Sequence, residues 1–246
     1  MLQGKRSRNL FDPVSKEPFK LSRTKLEDFL ACPRCFYLDR RLGIGRPPGP
    51  AFSLNLVVDH LLKKEFDAYR AAKKPHPLMT ANNIDAIPYA HKDLEQWRTN
   101  RAGVRTLHKP TNFLVYGAID DLWVKLGGEL IVVDYKATSK DSEITLDDEW
   151  KAAYKRQMEI YQWLLRRQGL CIAKTGYFLF ANARKDTAKF GEKLQFTMSL
   201  VPYAGTDEWV EQAIVAAHKC LMRERLPASS PDCEYCAYRE AARGAS

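Results

Sequence analysis

No apolar run in this chain of 246 residues approaches the ~20 residues that a membrane-spanning helix needs, so no membrane partner is expected. The opening MLQGKRSRNLFD is basic, but it lacks the apolar stretch of a secretory signal. A cytoplasmic location is therefore expected. No internal repeat is visible, which excludes solenoids and propellers. Apolar residues at 45% and charged residues at 28% exclude disordered, collagen-like and coiled-coil chains. Acidic residues are in deficit: 30 Asp+Glu stand against 39 Lys+Arg, for a net charge of +9. An anionic partner is favoured, and nucleic acid is the common one, because basic side chains release condensed counterions on binding phosphate. Arg34, Arg40, Arg41, Lys63, Lys64, Lys140, Lys151, Lys155, Arg156 and Arg184 could meet such a partner. For any single one of them a solvated face is the plainer reading.

Six cysteines are present, and four form two C-x-x-C pairs, Cys32/Cys35 and Cys233/Cys236. In a reducing compartment such pairs point to a metal or cluster rather than to disulfides. The pairs lie near opposite ends of the chain, so a four-thiolate site would join those ends and is not a local finger. Cys220 shares a helical stripe with Trp209, Ala213, Ala216 and Ala217 and is expected to pack in a core, as is Cys171 at the start of an apolar strand.

The pattern predicts an α/β chain with a central mixed sheet flanked by helices. Residues 1–20 read as a basic, flexible lead-in and 21–246 as one domain. Ser22 caps a first helix, and Pro33 kinks it or starts a new one that ends at Gly43. A strong helix covers 53–70, a loop 71–90 and a helix 91–102. Strands are expected at 111–125 and 129–137, joined at Gly127-Gly128, and at 176–183 and 194–203. Helices fill 147–168 and 206–226.

The chemistry-bearing stretch is Gly117-Ala-Ile-Asp120-Asp121 followed by Ile131-Val-Val-Asp134-Tyr-Lys136. On a strand, residues i and i+2 share a face, so Asp134 and Lys136 stand side by side, and in a hairpin Asp120 comes near Asp134. Two carboxylates suit a hard divalent cation such as Mg²⁺. An adjacent lysine adds the positive charge that phosphodiester hydrolysis needs. On D-x-K alone, a surface ion pair is the more common explanation.

Two helices shift that balance. Asp59, Leu62, Phe66 and Tyr69 form one stripe, so Asp59 points inward and needs a partner, either a metal or a core Lys or Arg. His60 falls on the side of Lys63, Lys64 and Asp67, where it is solvated. On the later helix Trp150, Tyr154, Gln157, Tyr161 and Leu164 form the inner stripe, with Gln157 and Tyr161 an i, i+4 pair.

G-x-x-D, then D-x-K, then Q-x-x-x-Y, in that order, resembles the RecB-type branch of the PD-(D/E)xK nuclease superfamily. The lead-in Leu21-Ser-Arg-Thr-Lys-Leu26, Cys32-Pro33, Phe36-Tyr37 and the terminal Cys233-x-x-Cys236-x-Tyr238 resemble its iron–sulfur members, the CRISPR-associated exonucleases and AddB-type nucleases. The resemblance implies a restriction-endonuclease-like core over about residues 20 to 240. It implies metal ligation by Asp120, Asp134 and the Tyr135 carbonyl. It makes Lys136 act on the attacking water or the transition-state charge, and Gln157 and Tyr161 support the site or the DNA path. Where the family often has G-x-x-x-H on the early helix, this chain has Asn55-x-x-x-Asp59, so Asp59 becomes the ligand. The relatives carry three late cysteines; here position 242 is Ala242, and Cys35 takes that place. The implied cofactors are Mg²⁺ or Mn²⁺ and a 4Fe–4S cluster on Cys32, Cys35, Cys233 and Cys236, with zinc as the alternative. The implied activity is metal-dependent exonucleolytic cleavage of single-stranded DNA, with protein partners in CRISPR adaptation or recombination. A non-catalytic nucleic-acid-binding module that keeps the fold and the cysteine staple is the alternative reading. A zinc-stabilised interaction protein would leave the D-x-K set unexplained.

Overall fold

A computed structural model describes residues 5–49, 53–148 and 151–244. Trp150, expected on the inner stripe of the later helix, lies outside the described residues. In chain order the elements are β1 (Phe19–Ser22), α1 (Arg23–Ala31), α2 (Pro33–Arg41), α3 (Ser53–Ala72), α4 (Pro77–Ala81), β2 (Ala86–Pro88), α5 (Leu94–Trp97), β3 (Val104–His108), β4 (Phe113–Gly117), β5 (Asp121–Lys125), β6 (Leu130–Thr138), α6 (Ala152–Arg167), β7 (Thr175–Ala183), β8 (Phe196–Ala204), α7 (Glu208–Leu221) and α8 (Glu234–Gly244). They form two compact units. One contains residues 1–50, 105–116 and 208–246, and the other residues 51–104 and 117–207.

The first unit carries a three-stranded sheet of order β1-β4-β3, with β1 and β4 parallel. Ser22 caps α1, its hydroxyl accepting from the Lys25 N–H. Pro33 has no N–H to continue the helix and disfavours helical backbone at the residue before it. Cys32 is accordingly extended (φ −162°, ψ 107°), ending α1 and preceding α2, whose first residue is Pro33. Phe11 is buried and meets Phe19, Phe113 and His218 edge-on at ring separations of 5.4, 5.9 and 5.8 Å.

The second unit is built on a five-stranded mixed sheet of order β2-β5-β6-β7-β8, in which only β6 and β7 run parallel. The β5–β6 hairpin turns through Gly128, whose φ of 84° favours glycine. Odd-numbered β6 residues Ile131, Val133 and Tyr135 pack with Leu62 and Phe66 of α3 and with Trp123. The even-numbered Asp134 and Lys136 meet Gln157 of α6. Gly176 on β7 permits close packing by α6, since a Cβ there would stand 2.5 Å from the Met158 sulfur.

Several expected boundaries move. The strand expected over 111–125 is two strands, β4 and β5, in different sheets, broken at Ala118-Ile119-Asp120. A chain leaving one sheet for another needs such a corner, and here Gly117 and Asp120-Asp121 mark it between two apolar stretches. The helix expected over 91–102 shrinks to α5, because Thr99 caps back on the Gln96 carbonyl and Gly103 is left-handed at φ 60°. The expected loop 71–90 contains α4 and the edge strand β2.

Directly after the corner, Asp121 is fully buried. Its carboxylate accepts from the Arg98 guanidinium at 3.1 Å, the Tyr135 hydroxyl at 2.8 Å and the Leu122 N–H at 2.9 Å, and it pairs with Arg70. Arg98 also donates to the Asp120 carbonyl at 3.0 Å and to both Asp67 oxygens at 2.9 Å. Burial holds the Asp121 carboxyl above its usual pKa even though Arg70 and Arg98 pull it down. Removing one partner of such a buried set strands the others. Asp121→Ala should therefore cost on the order of 3 to 5 kcal/mol in urea unfolding; a loss within the scatter of surface substitutions would show that the network does not hold the corner.

Candidate active site and thiolate centre

Asp120, the last residue of the β4–β5 corner, turns one carboxylate oxygen to the sheet, where Oδ2 accepts from the Tyr135 N–H at 2.8 Å. The other oxygen, Oδ1, lies 3.2 Å from the Lys63 ammonium. Lys63 stands one turn after Asp59 on α3 and pairs with Asp59 Oδ2 at 2.8 Å. Asp59 and Asp120 thus approach each other from a helix and a strand end, with an ammonium between them. Burial, followed by the Asp120 charge, raises the Asp59 carboxyl above its usual range. His60, the next residue, is exposed.

On β6 itself, Asp134 has no solvent exposure. Its Oδ1 accepts from Gln157 Nε2 at 2.8 Å, and its Oδ2 pairs with the Lys136 ammonium. Lys136 also donates to Gln157 Oε1 at 3.2 Å and stands 4.4 Å from the centre of the Tyr154 ring. Gln157 Nε2 further donates to the Tyr161 hydroxyl at 2.9 Å. One amide therefore clamps the carboxylate, the ammonium and the phenol. Burial works against the Lys136 charge, but Asp134 and then Asp120 outweigh it, so its pKa is raised. A cleft of about 120 Å³ is lined by Asn55, Asp59, Tyr135, Lys136 and Tyr154, among others.

The donors Asp59, Asp120, Asp134 and the Tyr135 carbonyl are hard oxygens, the chemistry that suits Mg²⁺ or Mn²⁺. Two lysine ammoniums lie against these carboxylates, which marks the positions as ones that call for a cation. Oxygen donors of this kind are the ones a divalent ion takes. The three carboxylates are less tightly drawn together than the cysteines. Among the described residues, Cys32, Cys35, Cys233 and Cys236 form the one group of three or more potential ligands whose ligand atoms all lie within 4.8 Å.

Sequence reasoning missed Lys63, which it placed with His60 on the solvated face. The side chain is 19% exposed and is turned inward. The i, i+4 spacing from Asp59 was the available signal. It also missed Arg98 and Arg70 behind the corner, which lie far from Asp121 in sequence and in no recognisable motif.

The four cysteines are all buried and free of disulfides. Each pair is built alike. Cys32 precedes α2 and Cys35 lies in its first turn; Cys233 precedes α8 and Cys236 lies in its first turn. Helix N-termini offer unpaired N–H groups and a favourable field to thiolates. The Sγ separations are 3.6 Å for Cys35–Cys233, 3.6 Å for Cys35–Cys236 and 3.9 Å for Cys32–Cys236. Burial tends to raise the Cys32 thiol, but the backbone N–H groups of Cys35 and Ser230 and the neighbouring thiols bring it down to about 6. Burial pushes Cys35 up, with Arg46 opposing, and pushes Cys236 up strongly. The two ends of the chain are joined by this soft-donor set. Cys220 stands apart, its thiol 3.7 Å from the Pro33 carbonyl and pushed up to about 11 by burial. Cys171 is exposed, not packed as expected, because it precedes the strand instead of lying in it.

Comparison with curated protein sequences gives no match. Among solved structures, the crystal structure of SSO0001 is similar at a TM-score of 0.40 and 14% identity, over 92% of this chain and 86% of that one. A family model, that of the PD-(D/E)XK nuclease superfamily, matches residues 20–241. It spans β1 to α8 and takes in both the carboxylate strands and the cysteine pairs, and by that match the chain belongs to the PD-(D/E)XK nuclease superfamily.

Proposed function

We propose that the protein is a divalent-metal-dependent deoxyribonuclease of the RecB-type branch, cleaving single-stranded DNA from an end. The observation that carries this reading is the buried Asp134–Lys136–Gln157 clamp on β6, one strand from Asp120. Asp59, Asp120, Asp134 and the Tyr135 carbonyl would hold the cation. When bound, that cation supplies Lewis acidity and lowers the pKa of its water. Lys136, kept protonated by its carboxylate neighbours, offers charge to the phosphoryl oxygens. Gln157 fixes the angle between Asp134 and Lys136, and Tyr161 fixes Gln157. The net charge of +9 favours a polyanionic substrate. The single-strand and end-dependent preferences rest on the resemblance to the exonucleases. In the alternative, a binding module without catalysis, Lys136 and Gln157 would serve only to satisfy the buried Asp134, and cleavage separates the two readings.

End-labelled linear single- and double-stranded DNA with Mg²⁺ or Mn²⁺, beside closed circular single strands, tests the reading. Cleavage of linear single strands and survival of circles are expected. Asp134→Ala and Lys136→Ala should each lower the rate by about 100-fold or more, with DNA binding retained; wild-type rates in both would remove the assigned site. Asp59→Asn should raise the metal concentration needed for cleavage, whereas His60→Gln should leave it unchanged; the reverse pair of results would make His60 the ligand.

For the thiolate centre, the sulfur spacing supports one tetrahedral ion, zinc, over the 4Fe–4S cluster that the resemblance implies. A tetrahedral ion with bonds of about 2.3 Å places its sulfurs about 3.8 Å apart; three of the pairs lie 3.6 to 3.9 Å apart and all four sulfurs lie within 4.8 Å of one another. A cluster sets four irons between its thiolates and needs a wider cage. Anaerobically purified protein should be colourless with one zinc per chain; a brown protein with a broad visible band and four irons would restore the cluster. Cys233→Ser should lose the ion and much thermal stability, since the site closes a loop of nearly the whole chain. Cys220→Ser should keep the ion.

A further inference from the structure

Lys63 is the group that neither the family pattern nor the proposed chemistry uses. Its Nζ lies 2.8 Å from Asp59 Oδ2 and 3.2 Å from Asp120 Oδ1. It therefore bridges two carboxylates delivered by different elements, a helix and the corner before β5. The side chain is 19% exposed, and Asp59 and Asp120 are 33% and 21% exposed. Two carboxylates this close repel each other unless a positive charge lies between them. No other lysine or arginine is paired with Asp59 or with the Asp120 carboxylate among the described ion pairs. The ammonium thus occupies the place where a hard cation shared by Asp59 and Asp120 would bind.

We infer that Lys63 is an internal counter-ion that competes with the divalent metal for Asp59 and Asp120. Before metal arrives, it holds the two carboxylates together and keeps the α3–β5 approach from springing open. Metal binding then requires the ammonium to leave. A lysine can do this at low cost, because its charge rides on a flexible four-carbon stem and is satisfied by water. The site is preorganised at the expense of metal affinity. Lys136 is not equivalent, because it is locked by Asp134 and Gln157 and pairs with neither Asp59 nor Asp120. The inference rests on reading Asp59 and Asp120 as metal ligands.

Calorimetric titration of the full chain, with its thiolate centre loaded as purified, with Mn²⁺ tests this without reference to cleavage. Lys63→Met should tighten Mn²⁺ binding about five- to tenfold, as expected for loss of one competing, partly buried ion pair. Lys63→Gln should do the same, which covers the case in which the methionine variant folds poorly. Lys63→Arg keeps the competing charge and should remain near wild type. Without Mn²⁺ the melting temperature of Lys63→Met should fall below wild type, and the gap should close as Mn²⁺ saturates. A lower melting temperature with unchanged or weaker Mn²⁺ binding in both neutral variants, while Asp120→Asn abolishes binding, would overturn the inference and leave the metal site standing. No Mn²⁺ binding in wild type or in any Lys63 variant would overturn the metal reading and the inference with it.

Discussion

Asp134 is a carboxylate with no exposure to solvent in the middle strand of a five-stranded sheet. A buried anion is tolerated only with a cation and enough hydrogen bonds to replace its lost water. Much of the second unit follows from that requirement. Lys136 must come from the same strand face, which the two-residue period of β6 provides. Gln157 must reach both, which fixes the rotation of α6 about its axis. Once α6 is so turned, Met158 faces β7, and glycine at position 176 lets its sulfur approach closely. On the opposite face, Asp121 imposes the same demand and is answered by Arg98 and Arg70. Two buried carboxylates, one on each side of the hairpin, thus position the helices and loops that pack around it.

The two units carry donor sets of opposite character. The carboxylates and the Tyr135 carbonyl are hard oxygens, and Asp59, Tyr135 and Lys136 line an open cleft. The thiolates are soft, fully enclosed, and drawn from residues up to 204 positions apart. Enclosure leaves no open coordination position for substrate, which is the arrangement of a structural metal site. An oxygen site beside a cleft retains water, which is what hydrolysis consumes.

Much of this was legible in the sequence, and the limits are physical. The paired cysteines, the D-x-K strand, the Gly127-Gly128 turn and the Pro33 helix start are local signals, each with a spacing set by one element, and the folded chain shows each element. The break between β4 and β5 was misread: Gly117 and Asp120-Asp121 interrupt the apolar residues from Phe113 to Lys125, but nothing local says that the chain then joins a different sheet. Lys63 was misplaced for a related reason. A helical wheel assigns a lysine to the solvated face by type, whereas its long stem lets it reach inward from a flank to a charge supplied by a distant strand. Arg70 and Arg98 were beyond reach because their partner, Asp121, is recognisable as buried only after the corner is known.

The net charge of +9 also reads differently once partners are assigned. Arg40 is buried against Asp39, Lys151 against Asp148, and Arg98 and Arg70 against Asp121. Lys140 and Arg184 are each paired with a carboxylate. The positive charge is therefore partly spent on internal pairs, and the centre itself is not positive. The carboxylates of Asp59, Asp120 and Asp134 outnumber the ammoniums of Lys63 and Lys136, leaving a net negative site. A phosphodiester would be repelled from it. Putting a divalent ion in place of Lys63 makes the carboxylate cage neutral, and the displaced ammonium, still tethered to α3, adds a positive charge nearby. In the proposed arrangement a bound cation would do more than activate water, because it would reverse the sign of the field that an incoming phosphate meets.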